Sequence, residues 1–136
     1  MSGSNHKHHH HHANGICDCI PDWYTPLLAT SDEVAAERPE DLRAFLAATA
    51  RGYQQAMADP AAAADALLEG APDLDPELVR ASAEYLATRY ADDPASWGRQ
   101  DPEVWERFTT FLAEAGMLEG EVDPAAAWTN DFLPSS

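Results

Sequence analysis

The dipeptide Asp-Pro recurs along this chain, at Asp59-Pro60, Asp75-Pro76, Asp101-Pro102 and Asp123-Pro124. Nothing else in the sequence constrains the fold as strongly. An aspartate carboxylate accepts the free amides at a helix start, and proline fits the first helical position, where its missing N–H costs nothing. Each recurrence therefore predicts the start of a new helix. The spacings between them are irregular and the intervening segments share no apolar pattern, so the chain is not a repeat array.

Between these marks, apolar residues return at helical steps. From Pro39 to Ala58 the series Leu42, Phe45, Leu46, Thr49, Tyr53, Ala56 and Met57 gives a helix with one buried face. Glu40 and Asp41 in its first turn complement the helix dipole. An Ala-rich helix runs from Pro60 to Gly70, whose glycine suits a left-handed cap. Pro76 to Tyr90 presents Leu78, Val79, Ser82, Tyr85, Leu86 and Tyr90 along one side, and Pro102 to Ala115 presents Val104, Trp105, Phe108, Phe111 and Leu112. Ahead of these, Thr30-Ser31-Asp32-Glu33 reads as a capping box opening a short helix through about Arg38. The expected core comprises Leu42, Phe45, Leu46, Tyr53, Leu67, Leu78, Tyr85, Leu86, Trp105, Phe108, Phe111 and Leu112.

One stretch does not read as helix. Ile20-Pro21-Asp22-Trp23-Tyr24-Thr25-Pro26-Leu27-Leu28-Ala29-Thr30 reads as a strand, with its regular part near residues 24–30. The expected class is thus mainly α, with about five or six helices and one short strand. Strand side chains alternate, so Asp22 and Tyr24 would face one way and Trp23 the other, onto the helices. A strand without a sheet partner leaves amides unpaired, so it must pair across a homodimer, dock on helices or fray.

The first dozen residues resemble an expression tag, and residues 13–19 read as a linker or strand lead-in. Residues 20–136 then form a single helical domain. The tag holds all six histidines and the one lysine, so setting Lys7 aside moves the formal charge from -16 to -17. Such acidity repels phosphate backbones and excludes nucleic acid as a partner. No apolar run approaches the roughly 20 residues that cross a bilayer.

Without histidine or lysine after residue 12, neither a general base poised near neutral pH nor a Schiff-base lysine is at hand. The chain is therefore expected not to be an enzyme and to need no cofactor. Cys17-Asp18-Cys19 could grip a soft metal, yet a closed zinc site needs four ligands, and two reduced thiols are the simpler reading. Asp73-Leu74-Asp75 and Asp92-Asp93 read as solvated helix caps, not as calcium sites, which need six or more oxygens. No metal ligands are expected.

Asp22 with Trp23 or Tyr24 offers another chemistry. A flat aminopyrimidine is held well by stacking on an aromatic face, with a carboxylate accepting its exocyclic amine hydrogens. The bland alternative makes both rings core and Asp22 a turn cap.

Taken in order, Pro21-Asp22-Trp23-Tyr24-Thr25-Pro26, Arg38-Pro39-Glu40-Asp41-Leu42-Arg43-Ala44-Phe45-Leu46, Gly52-Tyr53, Asp59-Pro60, Trp97-Gly98, Trp105 with Phe108, and Thr129-Asn130-Asp131-Phe132-Leu133 resemble one family. It is the thiamine-pyrimidine-precursor (hydroxymethylpyrimidine and formylaminopyrimidine) binding proteins of ABC transporters, related to fungal thiamine pyrimidine synthases. The resemblance implies the C-terminal portion of a type II periplasmic-binding-protein α/β fold, with two lobes closing on a ligand. It implies Asp22, Tyr24 and Trp23 as ligand-binding residues, an aminopyrimidine as ligand and a transporter permease as partner. The implied location is extracytoplasmic, periplasmic or as a membrane-anchored lipoprotein. The fungal enzymes' cysteine-rich motif has no counterpart beside Pro21-Asp22-Trp23, which leaves synthase activity the minor alternative. The rival from another class is a small acidic helical interaction or scaffold domain with no small-molecule ligand.

Overall fold

The computed structural model describes residues 20–135. They form five α-helices: α1 (Asp32–Glu37), α2 (Pro39–Ala58), α3 (Pro60–Gly70), α4 (Pro76–Ala87) and α5 (Pro102–Glu114). Two 3-10 turns, Pro94–Ser96 and Pro124–Ala126, sit before and after α5. Among the described residues there is no strand and no helix long and apolar enough to cross a membrane. Cys17 and Cys19 lie outside the described residues.

Asp59, Asp75 and Asp101 start α-helices as the dipeptides predict, whereas Asp123 opens only a 3-10 turn. Asp59 accepts from Ala62 N at 3.0 Å, Asp75 from Glu77 N at 3.0 Å, Asp101 from Glu103 N at 2.9 Å and Asp123 from Ala125 N at 3.0 Å. Asp93-Pro94, a fifth such dipeptide, works in the same way on Ala95 N at 3.1 Å. Such a cap is worth about 1 kcal/mol. The capping box is displaced by one residue, because Ser31 rather than Thr30 caps α1 through Val34 N. That shift places Val34, not Glu33, three residues beyond the cap.

Glycine ends two helices differently. Gly70 closes α3 without adopting a positive φ, contrary to the left-handed cap expected there. Gly116 does adopt one (φ +70°), and behind it Met117 N donates to Leu112 O at 2.9 Å, closing α5 with the bond pattern of a Schellman cap.

The deepest residues are small: Ala50 on α2, Ala64 on α3 and Val79 on α4. Helices α2, α3 and α4 all touch one another, with α3 and α4 packed most extensively, and one small side chain from each marks the meeting. The exposed pair Arg80–Asp65, at 2.8 Å, ties α4 to α3. This arrangement corrects the expected core. Phe45 is 58% exposed, Leu78 66% and Tyr85 59%, while Leu67 and Leu86 are also exposed. On α4 the inward face is Val79, Ala83 and Ala87, continued past the helix end by half-buried Tyr90. Alanines allow closer helix approach than leucines do, and close approach turns the bulkier stripe sideways to solvent. Tyr85 instead lies under the Arg89 guanidinium, 3.5 Å from its ring centroid.

An aromatic stack joins this three-helix unit to the remainder. Tyr53 of α2 stacks on Trp97 at 4.7 Å and meets Tyr90 edge-on at 4.9 Å, while Gln54 Nε2 donates to Pro94 O at 3.0 Å. The tail returns to the same region, where Arg43 lies over the Phe132 ring and Leu133 reaches Gly98.

Gly98 carries φ +85°, and a Cβ there would meet Leu133 Cδ2 at 2.9 Å. The Gly98→Ala variant should lose about 1–2 kcal/mol, mostly from the backbone, since the leucine end can move. Gly116→Ala shares the positive φ but has open space, so the difference between the two urea midpoints isolates the Leu133 contact.

Candidate ligand-binding ledge

The segment Ile20–Thr30 is irregular rather than a strand. Pro21 and Pro26 can donate no ladder hydrogen bonds and no partner strand exists among the described residues, so side chains set its course. Without the strand, the edge on which the expected homodimer rested is not formed. Alternation also fails: Trp23 and Tyr24, neighbours in sequence, both pack on α5.

Trp23 stacks on Phe108 with centroids 5.7 Å apart, and Phe108 stacks on Phe111 at 6.2 Å. Tyr24 tilts over Trp105 at 6.5 Å, and its hydroxyl oxygen accepts the Asp101 N–H at 2.7 Å. Trp128 lies almost parallel behind Trp105, at 7° and 6.4 Å. These rings surround a concavity of about 70 Å³ lined by Trp23, Tyr24, Leu27, Val104, Trp105 and Phe108. Trp23 remains 49% exposed, so its ring offers an open aromatic face.

Of the residues singled out in the sequence, Trp23 and Tyr24 are brought together here. Asp22 is exposed at the start of the segment and does not line the concavity. Pro21 borders a broader open groove of about 410 Å³ along α5, beside Glu106, Arg107, Thr110, Phe111 and Glu114. Trp105 and Phe108 were expected in the core; they are half-buried and line the ledge. Their spacing on α5 already marked an apolar stripe, but periodicity cannot distinguish a stripe that meets a helix from one that meets an aromatic segment.

Trp105 is held at its edge as well as its face. Its Nε1 donates to Gln100 Oε1 at 2.8 Å, the Gln100 N–H donates to Asn130 Oδ1 at 2.9 Å, and Asn130 Nδ2 donates back to Gln100 O at 2.9 Å. Neither polar residue announces this role in the sequence, although Asn130 belongs to the Thr129–Leu133 motif. The Trp128 Nε1 is buried with no acceptor among the described residues. A buried donor left unpaired costs on the order of 1–3 kcal/mol, so Trp128→Phe, which keeps a ring behind Trp105, should change stability by less than about 1 kcal/mol in thermal melts.

What this arrangement can do is accept a flat apolar ring against two or three aromatic faces. The ledge is built from Trp23 and Tyr24 of the irregular segment and from Val104, Trp105 and Phe108 of α5. Residues 13–63 match the family model described as NMT1/THI5 like. The chain is also 30% identical over 118 residues to the riboflavin-binding protein RibY of Chloroflexus aurantiacus (strain ATCC 29366 / DSM 635 / J-10-fl), a match covering 79% of this chain and 32% of that protein. The chain thus spans about a third of the length of that curated relative. Both likenesses agree with the family resemblance read from the sequence motifs.

Proposed function

We propose that this chain is a portion of the substrate-binding component of an importer, and that its ledge receives a flat pyrimidine-type heterocycle. The observation that carries the reading is the shared concavity of Trp23, Tyr24 and Trp105, with Trp23 half open to solvent. Stacking on such rings contributes about 0.5–1.5 kcal/mol per pair beyond area burial. Asp22, which the resemblance implies as a third ligand residue, lies outside the concavity, so stacking on the rings carries the contact. The specific ligand proposed is a thiamine pyrimidine precursor, delivered outside the membrane to an ABC permease. The chain acts as a carrier and not as a catalyst, consistent with the absence of histidine and lysine beyond residue 12.

A second reading, a flavin, is favoured by the name of the relative that matches most of this chain. An isoalloxazine contains a pyrimidine ring with an N–H donor, fused into a longer flat ring system. The concavity is far smaller than the 300–1,000 Å³ or so of complete ligand pockets, so this chain supplies one wall, and its own affinity should be weak.

Fluorescence and calorimetric titrations with riboflavin and with hydroxymethyl-aminopyrimidine decide between them. Saturable binding of one probe that Trp23→Ala abolishes supports the reading and selects the ligand. Failure of both probes at millimolar concentration would leave the acidic helical interaction domain as the better account.

A further inference from the structure

Resting on the heterocycle-binding reading above, we infer that Asn130 and Gln100 are positioning residues, which fix the plane of the Trp105 ring and thereby set how a flat ligand stacks on the ledge. Neither residue lines the concavity, and their effect passes entirely through Trp105.

The residues that precede α5 are held from two sides. The Gln100 N–H and carbonyl are both taken by the Asn130 side chain, thirty residues further along, and the next amide, Asp101 N, is taken by the Tyr24 hydroxyl. The tail and the aromatic segment therefore grip the same Gln100–Asp101 peptide unit, one at its carbonyl and the other at its N–H. From the unit fixed by Asn130, the Gln100 side chain reaches Trp105 Nε1 at 2.8 Å. An indole on a half-exposed helix face can turn about its side-chain torsions; this hydrogen bond holds its edge while Trp128 holds its rear face. Tyr24, fastened to the following amide, keeps its tilt against the same ring.

The chemistry at position 130 is selective. One group must donate to a carbonyl and the other accept from an N–H of the same residue, which a carboxamide does and a carboxylate cannot. At position 100 only an acceptor is required of the side chain, so glutamate can replace glutamine there.

The test measures hydrogen exchange of the Trp105 indole N–H by NMR in Asn130→Asp, Gln100→Leu and Gln100→Glu, with the Val79 amide as a monitor of global stability. Loss of one hydrogen bond predicts an acceleration of about tenfold at Trp105 in N130D and Q100L, a much smaller change at Val79, and retained protection in Q100E. For whichever probe binds, riboflavin or the aminopyrimidine, affinity should fall several-fold in the first two variants and recover in Q100E. Equal acceleration at Trp105 and Val79, or unchanged exchange at Trp105, would overturn the assignment. If neither probe binds the unmodified protein, the functional reading falls, yet the indole exchange still decides whether these two residues hold the ring.

Discussion

Replacing Tyr53 by alanine is expected to lower the unfolding free energy by about 2–3 kcal/mol, one of the two largest single-residue effects in the chain. The ring is the hinge pin between α2 and the loop that leads into α5. It stacks on Trp97 at 4.7 Å and receives Tyr90 edge-on at 4.9 Å, so truncation removes two aromatic contacts and opens a void among half-buried neighbours. The three buried residues Ala50, Ala64 and Val79 are too small to compensate. Tyr53→Phe keeps both ring contacts and should stay within about 0.5 kcal/mol of the parent. Urea unfolding followed by tryptophan fluorescence measures both. A Tyr53→Ala protein as stable as the parent would show that the two halves cohere by other means.

The second large effect is at Trp105. Trp105→Ala removes the stack on Trp128, the tilted contact with Tyr24 and the bond to Gln100, for a loss of about 3 kcal/mol. Trp105→Phe keeps an aromatic face and gives up the indole donor, for a loss nearer 1 kcal/mol. In a domain of this size the first should lower the melting temperature by roughly 10 °C and the second by about a third as much. Calorimetric melts of the two proteins check the ratio. Equal losses would mean that the polar edge, not the ring's area, dominates at this position.

Much of the helical plan was legible because its signals are local. An aspartate followed by proline starts a helix wherever it falls, and Asp59, Asp75 and Asp101 each cap the helix expected of them. The faces of those helices were less legible. Leu78 and Tyr85 looked like core because size and apolarity favour burial, but the helix turned its alanines to α3, where small side chains permit close contact. Whether an apolar stripe is covered depends on what lies opposite, and that is a tertiary fact.

The ledge was legible in part for the same reason. Trp23 and Tyr24 stood out beside Asp22, but strand alternation would have set the two rings on opposite faces. Two prolines and the lack of a pairing strand among the described residues released the segment from that rule, and both rings settled on α5. Gln100 and Asn130 carried no signal of their own, since a reciprocal amide pair across thirty residues leaves no periodic trace.

The most direct test of the central claim is a chemical-shift map of the isotope-labelled chain titrated with riboflavin and with hydroxymethyl-aminopyrimidine. The account predicts that one of them shifts the resonances of Trp23, Tyr24, Leu27, Trp105 and Phe108 in a saturable way, with ligand-to-ring nuclear Overhauser contacts at Trp23, while Val79 and its surroundings stay still. Shifts centred on the exposed Leu78 and Tyr85 face of α4, with the ledge unmoved, would contradict it.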